Sequence, residues 1–175
     1  MRKVIFLDFD NVLNDDQTKE WIKPGPGLFV DGHVGLDREK VERLNAFVEP
    51  NTSFVFSTSW RKFYTDDELE KLLRDRGFNG TIHPKLSRTP YKFSFTTRES
   101  QIREWLEDAD DLGYLPESFV VLDDMPTKYI GLGRHVQTQS EDGLSPAKAV
   151  EALAILSVPA RMPEYGFNDE EDERD

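Results

Sequence analysis

The chain has 175 residues, and its 37% hydrophobic and 11% aromatic residues are enough to bury the core of one domain. Its net charge of −12 argues against a surface that binds nucleic acid by neutralising many phosphates. The absence of cysteine excludes disulfide scaffolds, thiolate zinc sites and cysteine nucleophiles. Because Asp8 and Asp10 interrupt the apolar run that begins at Val4, this run is neither a signal peptide nor a membrane span. We therefore expect a cytoplasmic protein with no membrane partner and no strong nucleic-acid-binding surface.

Strand and helix patterns alternate along the chain. The apolar runs predict strands at 3–7, at 53–56, at 119–122 and around Val136. The three-to-four spacing of apolar residues predicts helices at 38–48, 66–76, 97–108 and 146–156. Thr65 with Glu68 and Thr96 with Glu99 are spaced as capping boxes at two of the helix starts. This order is typical of an α/β fold with a mostly parallel sheet and helices on both faces.

Two segments depart from the strand and helix pattern. Proline and glycine surround Trp21, Leu28 and Phe29, which predicts a flap-like insertion over about residues 14–36, with a hairpin as one form it could take. Residues 169–175 hold six acids and one arginine, and they lack apolar residues that could offset the entropy of ordering. We therefore expect one domain over 1–160 and an acidic, disordered tail over 161–175.

Polar side chains follow three of the predicted strands where each strand ends. In a parallel sheet, ligands bind outside the carboxyl ends of the strands. Asp8 and Asp10 follow the first strand, residues 57–59 follow the second, and Asp123 and Asp124 follow the third. These acids could merely cap turns, but four carboxylates brought together would repel one another unless they shared a divalent cation. Mg²⁺ is the ion that best fits such a set of hard oxygen ligands.

Four motifs in order resemble those of the haloacid-dehalogenase-like (HAD) phosphohydrolases. They are VIFLDFDNVLN from Val4, the hydroxyl-ended strand 54–58, a cation at the start of a helix (Arg98), and the acid pair after FVVL at 119–122. The details are similar to the small capless HAD domains of RNA-repair, phage and bacterial proteins, although Asn11 stands where those domains more often have glycine. The resemblance covers most of residues 3–156. It implies a three-layer Rossmann-like fold without a large cap domain.

The resemblance also implies catalytic and metal-binding roles for the four acids. Asp8 would attack phosphorus and form an aspartyl-phosphate, and Asp10 would protonate the leaving oxygen and then activate water. In the family, Mg²⁺ is bound by the nucleophile, by the backbone carbonyl of the second aspartate and by an acid after the late strand. Asp124 is favoured here as that direct ligand, with Asp123 orienting it.

Phosphate-binding residues follow from the same resemblance. The hydroxyl that binds the transferring phosphoryl group is Thr58, with Ser57 and Ser59 as alternatives in that order. The family usually has lysine in the third motif, where this sequence offers Arg98 in a first helical turn and Lys92 before it.

The leading interpretation is a Mg²⁺-dependent phosphatase that acts on a phosphomonoester. An open site favours a nucleotide or a polynucleotide end as the substrate. Arg61 could add a secondary contact to phosphate, whereas its neighbour Trp60 is more typical of a core residue. The alternatives are a phosphotransferase with the same aspartyl intermediate, and a non-catalytic phospho-receiver-like or acidic protein-interaction module that kept the fold.

Overall fold

The structure is a computed structural model, and it describes residues 1–21, 35–91, 96–127, 130 and 132–161. Within these residues the strands are β1 (Lys3–Leu7), β2 (Thr52–Phe56), β3 (Ser118–Asp123) and β4 (His135–Gln137). The helices are α1 (Asp16–Trp21), α2 (Arg38–Arg43), α3 (Asp66–Arg74), α4 (Arg98–Asp111) and α5 (Pro146–Leu156). Short 3₁₀ turns follow α2 at Leu44–Phe47 and follow β2 at Ser59–Lys62. Each predicted strand and helix is therefore present, with shifts of a few residues at the ends.

The four strands form one parallel sheet in the order β2-β1-β3-β4. In the central strand, Ile5 pairs with Phe54 on one side and with Val120 on the other. The chain runs from β1 to β2 at one edge and then crosses to β3 on the opposite side of β1. The topological switch point, where such sheets bind ligands, therefore lies between the carboxyl ends of β1 and β3.

Both faces of the sheet are covered by helices. Val4 and Phe6 pack on one face against α4, where the Phe6 and Trp105 rings meet edge to face with centroids 5.0 Å apart. Ile5 and Leu7 point to the other face, which is covered by α2, α3 and α5. Because alternate residues of β1 are buried on opposite faces, the strand reads as a continuous apolar run. The prediction of a three-layer α/β fold is confirmed.

Two local details differ from what the sequence pattern predicts. The pattern does not predict helix α1, which follows Asp15; the Asp15 side chain accepts a hydrogen bond of 2.6 Å from the backbone N–H of Thr18, as N-cap residues do. Helix α4 is capped by Thr97, whose side chain accepts from the backbone N–H of Ser100, rather than by Thr96.

Other predictions lie outside the described residues. They concern residues 22–34 of the flap, Lys92, and residues 162–175 of the tail. The domain boundary at 160 stays a prediction, although the backbone N–H of Ala160 donates to the carbonyl of Glu117 at 2.8 Å and so connects the chain after α5 to the start of β3. Among the described residues, no helix has the length and apolar character needed to cross a membrane.

A buried ion pair fixes the start of α1 against α2. Lys40 Nζ lies 2.6 Å from Asp15 Oδ2, and both side chains are at least 90% buried. Burial alone would raise the pKa of Asp15, but the hydrogen bonds from Lys40 and Thr18 outweigh this effect and lower that pKa below its usual value. Asp15 is therefore ionised, and its charge depends on Lys40 for compensation.

Replacing Lys40 with methionine should lower the free energy of unfolding by ~3–5 kcal/mol, because Asp15 is left as an uncompensated buried charge. Urea denaturation would measure this loss. The double variant Lys40→Met/Asp15→Asn should recover much of it, since it removes both charges together. Lys71→Met, which breaks the exposed pair with Asp75, should change stability little. A Lys40→Met variant as stable as Lys71→Met would contradict the assignment.

Candidate functional site

The carboxyl ends of β1, β2 and β3 meet at one place because the parallel hydrogen bonding continues past the strands. The backbone N–H of Asp8 donates to the carbonyl of Leu122 at 2.9 Å, and that of Ser57 donates to the carbonyl of Leu7 at 2.9 Å. The first residues after β1 and β2 are thus held in register with the end of β3. Their side chains consequently face the same point above the switch between β1 and β3.

Three carboxylates gather at this point. Asp8, Asp123 and Asp124 each place an oxygen within 4.8 Å of the others. Asp123 is fully buried, Asp8 is 5% exposed, and Asp124 is half-buried. Asp123 Oδ1 accepts a hydrogen bond of 2.9 Å from the backbone N–H of Met125, while Oδ2 faces the side chain of Arg98. Such a cluster of hard oxygen donors can hold a metal ion.

Arg98 provides a positive charge within this acidic group. Its Nη2 donates to Asp8 Oδ2 at 3.0 Å, and its Nε lies 2.7 Å from Asp123 Oδ2. Its Nη1 also reaches Ser57 Oγ at 3.5 Å. The side chain is 10% exposed. The predicted cation of the third motif therefore lies against the first and fourth motifs.

The burial of the acids sets their protonation. Desolvation raises the pKa of Asp8 to about 7, with the charge of Arg98 opposing this shift and that of Asp123 adding to it. Desolvation likewise raises the pKa of Asp123, again against Arg98. Both carboxyls would ionise more easily with a further cation beside them, because a nearby opposite charge favours the charged form.

Asp10 is held apart from the three-acid cluster. Its Oδ2 accepts a hydrogen bond of 2.9 Å from the indole Nε1 of Trp60, and its Oδ1 accepts one of 3.3 Å from Asn14 Nδ2. Trp60 is fully buried, as expected of a core residue. Its ring also packs edge to face on Phe9, with centroids 5.4 Å apart. The fold thus fixes the Asp10 carboxylate through a core side chain.

Two of the three candidate hydroxyls after β2 contact the acids or Arg98. Thr58 is fully buried, caps the following 3₁₀ turn and hydrogen-bonds Asp8. Ser57 is also fully buried and accepts from Arg98. Ser59 is the first residue of the 3₁₀ turn and is partly exposed. The structure brings Thr58 and Ser57 to the site, and which of them binds the phosphoryl group stays a prediction.

Asn11 is a site residue that the sequence motif alone does not identify. Its φ of +56° lies in the left-handed region, which favours glycine but which asparagine tolerates. This geometry explains how Asn11 replaces the glycine of similar domains. Its Nδ2 donates to Asp124 Oδ2 at 2.7 Å, while its backbone N–H donates to Asn14 Oδ1 at 2.8 Å. Asn11 and Asn14 therefore link the turn after β1 to both Asp124 and Asp10.

The site opens into a cleft of about 330 Å³ that begins at Asn11 and Asp124 and continues along residues 137–141. Gly143 allows the loop on this side of the cleft to pack closely against the turn after β1. Its φ is +55°, and a Cβ at this position would come within 2.8 Å of the carbonyl oxygen of Val12. The late loop can therefore lie directly on the turn that carries Asp10 and Asn11.

Comparison with known proteins agrees with this geometry. Residues 4–149 match the family described as the HAD domain in Swiss Army Knife RNA repair proteins. Neither the search of the curated proteins nor that of the solved structures found a match. The match spans β1 to the first turn of α5 and contains all four motifs. The chain therefore belongs to the HAD domain family of Swiss Army Knife RNA repair proteins, which places it among the HAD-type phosphohydrolases.

Proposed function

We propose that this chain is a Mg²⁺-dependent phosphatase that hydrolyses a phosphomonoester through an aspartyl-phosphate on Asp8. The observation that carries this proposal is the surroundings of Asp8. Its buried carboxylate lies at a strand end with Arg98 at 3.0 Å, a hydroxyl in hydrogen-bond contact and two further acids within 4.8 Å. Nucleophile, phosphate ligands and candidate metal ligands thus share one point.

The acid cluster fits Mg²⁺. Hard carboxylate oxygens are its preferred protein ligands, and Asp8, Asp123 and Asp124 place such oxygens within 4.8 Å of one another. We assign Asp8 and the more exposed Asp124 as direct ligands, together with the backbone carbonyl of Asp10. Asp123, held by Met125 and beside Arg98, would orient the group. When bound, the ion would supply the positive charge that lets an anionic nucleophile approach a phosphate dianion.

The chemistry proceeds in two displacements. In the first, a carboxylate oxygen of Asp8 forms a bond to phosphorus, the bond from phosphorus to the leaving oxygen breaks, and Asp10 gives that oxygen a proton. In the second, water attacks the phosphoryl group as Asp10 takes up its proton, which releases inorganic phosphate and restores Asp8. Thr58, Ser57 and Arg98 would donate hydrogen bonds to the phosphoryl oxygens.

The partners of Asp10 orient its carboxyl group without competing for its proton. Trp60 Nε1 and Asn14 Nδ2 are both hydrogen-bond donors, so neither can accept the proton that Asp10 carries. They fix the direction of the carboxyl group and leave its proton for the leaving oxygen. This supports the assignment of Asp10 as the general acid and base.

For the substrate we propose the phosphorylated end of a nucleotide or polynucleotide. The cleft beside Asp124 is open, which suits a large leaving group. The family is named for RNA repair proteins, so 3′- and 5′-phosphorylated oligoribonucleotides are the first compounds to test. A phosphorylated sugar and a phosphopeptide would serve as comparisons.

Hydrolysis of p-nitrophenyl phosphate should stop in excess chelator and return when Mg²⁺ is restored, because the anionic site would otherwise repel the substrate. Calorimetry provides a second readout that does not need turnover. Asp124→Asn should bind Mg²⁺ more weakly than the unmodified protein, since it replaces a carboxylate ligand with a neutral amide. Full activity in excess chelator would refute the requirement for metal.

Asp8→Asn should abolish turnover, because an amide cannot act as the nucleophile. The fold should persist, since Ile5 and Leu7 carry the packing of β1 rather than Asp8. Rapid quenching followed by mass spectrometry should detect a phosphorylated Asp8 in the unmodified protein and none in the variant. Appreciable turnover by a well-folded Asp8→Asn protein would exclude Asp8 as nucleophile.

Asp10→Asn should lose activity mainly on alkyl phosphates, because an aryl leaving group needs less protonation. Trp60→Phe should show the same selectivity more weakly, by roughly 10-fold, since it removes one hydrogen bond to a charged group while it keeps the packing. Trp105→Phe is the matched control: it removes an indole N–H bonded to Leu86 from the opposite face of the sheet. The ratio of alkyl to aryl phosphate turnover is the measurement. An equal loss on both substrates would contradict the role of Asp10.

A further inference from the structure

Arg61 is a buried cation with unused hydrogen-bonding capacity. It is only 7% exposed, and its Nη2 donates to Gln101 Oε1 at 2.5 Å. Its Nε and Nη1 are buried and have no hydrogen-bond partner among the residues that the structure describes. The guanidinium lies 5.6 Å from the centre of the Tyr91 ring, a contact that leaves these two N–H donors unsatisfied.

The position of Arg61 follows from the elements that form the site. Arg61 is three residues after Thr58, within the 3₁₀ turn that Thr58 caps. Its partner Gln101 is three residues after Arg98, so the two side chains lie on the same face of α4. Gln101 is itself fixed, since its Nε2 donates to Thr96 Oγ1 at 3.1 Å. The bond between Arg61 and Gln101 thus holds the guanidinium beside the group formed by Thr58, Arg98 and Asp8.

The electrostatic surroundings agree with this placement. Burial, together with the charge of Arg98, lowers the pKa of Arg61 to about 10, and the charge of Asp8 opposes this shift. Arg61 is therefore near enough to Arg98 and Asp8 to respond to their charges. A second cation beside Arg98 is unfavourable on its own and becomes favourable when an anion lies between the two.

Arg134 shows what a structural arginine looks like in this protein. It is buried to a similar degree, at 8% exposed. Its Nε donates to the carbonyl of Phe119, and its Nη2 lies within 2.7 Å of Ser118 Oγ and of the carbonyls of Ile155 and Val158. Those bonds join β3 to the end of α5. Among the described residues Arg61 has no comparable set of hydrogen bonds to backbone carbonyls and side chains, so a purely structural role does not account for its burial.

We propose that Arg61 is a second phosphate-binding residue, whose unpaired N–H groups bind an oxygen of the phosphoryl group that is transferred to Asp8. This inference rests on the proposed function, because the group that it binds is the one held against Asp8. Arg98 is already engaged by Asp8 and Asp123. Arg61 is free of carboxylate partners among the described residues, so its charge remains available to the substrate.

The test is calorimetric titration with inorganic phosphate in the presence of Mg²⁺. Arg61→Met should weaken phosphate binding roughly 10- to 100-fold, the effect of losing one hydrogen bond between charged groups. The KM for p-nitrophenyl phosphate should rise by a similar factor. The melting temperature without phosphate should change little, because loss of the hydrogen bond to Gln101 is offset by removal of a buried charge with two unsatisfied N–H groups. Arg134→Met should instead melt at a lower temperature.

Gln101→Glu provides an independent variant if Arg61→Met does not fold. The new carboxylate would pair with Arg61 Nη2 and neutralise its charge, so phosphate binding should weaken while the packing is kept. Unchanged phosphate affinity in the folded variants would overturn the proposal, and so would unmodified protein that does not bind inorganic phosphate. Binding is measured without turnover, so an inactive protein that binds phosphate through Arg61 would refute the proposed function and leave only the assignment of Arg61 as a phosphate-binding residue.

Discussion

The site depends on the burial of two carboxylates side by side at the end of a parallel sheet. Asp8 follows β1 and Asp123 is the last residue of the adjacent β3, and the register that pairs Leu7 with Leu122 places the two acids side by side. An ionised carboxylate is costly to bury unless it is paired. Arg98 meets this requirement for both acids at once, at 3.0 Å and 2.7 Å. Its contacts therefore hold α4 at the end of the sheet where the site forms.

At Arg98 the helix dipole and the buried ion pairs act in opposite directions. A cation in the first turn of a helix opposes the helix dipole by ~0.3–1 kcal/mol. Removing one partner of a buried ion pair costs ~3–5 kcal/mol, several times more. The ion pairs with Asp8 and Asp123 therefore outweigh the unfavourable dipole. An arginine exposed at the same position would have no ion pair to offset the helix dipole. A cation in the first turn of this helix therefore indicates a buried acidic partner.

The sequence predicts the elements of this fold well because their signals are local. The apolar run of β1, the Thr65 and Glu68 capping box and the proline at the start of α5 each act within a few residues. Helix α1 is missed because the proline and glycine residues beyond it dominate the composition of that segment. The capping residue of α4 is misplaced by one because Thr96 and Thr97 offer the same side chain.

The strand-end motifs likewise bring Asp8, Asp123 and Asp124 together as expected, because a parallel sheet aligns the carboxyl ends of its strands. The side-chain pairings within the site are not predictable in the same way. Trp60 reaches Asp10 across 50 residues, and Arg61 reaches Gln101 across 40. These contacts depend on how the 3₁₀ turn after β2 packs on the turn after β1 and on α4. A pattern read along the chain cannot supply that packing.

The charge of the site explains why more than one cation is needed. In the proposed site, four carboxylates (Asp8, Asp10, Asp123 and Asp124) would face two guanidiniums (Arg61 and Arg98), so the fully ionised site would carry two excess negative charges. A bound divalent cation would bring this sum to zero, and the proton that the proposed mechanism places on Asp10 would make it positive by one. Without Arg61 both sums would be lower by one, and a phosphate dianion would meet a negative or neutral site.

The chain as a whole carries −12, so its overall field opposes anionic substrates. The proposed binding of phosphate would then come from contacts within about one Debye length, ~8 Å at physiological salt, a range that the buried Arg98 at the start of α4 and Arg61 in the 3₁₀ turn can serve.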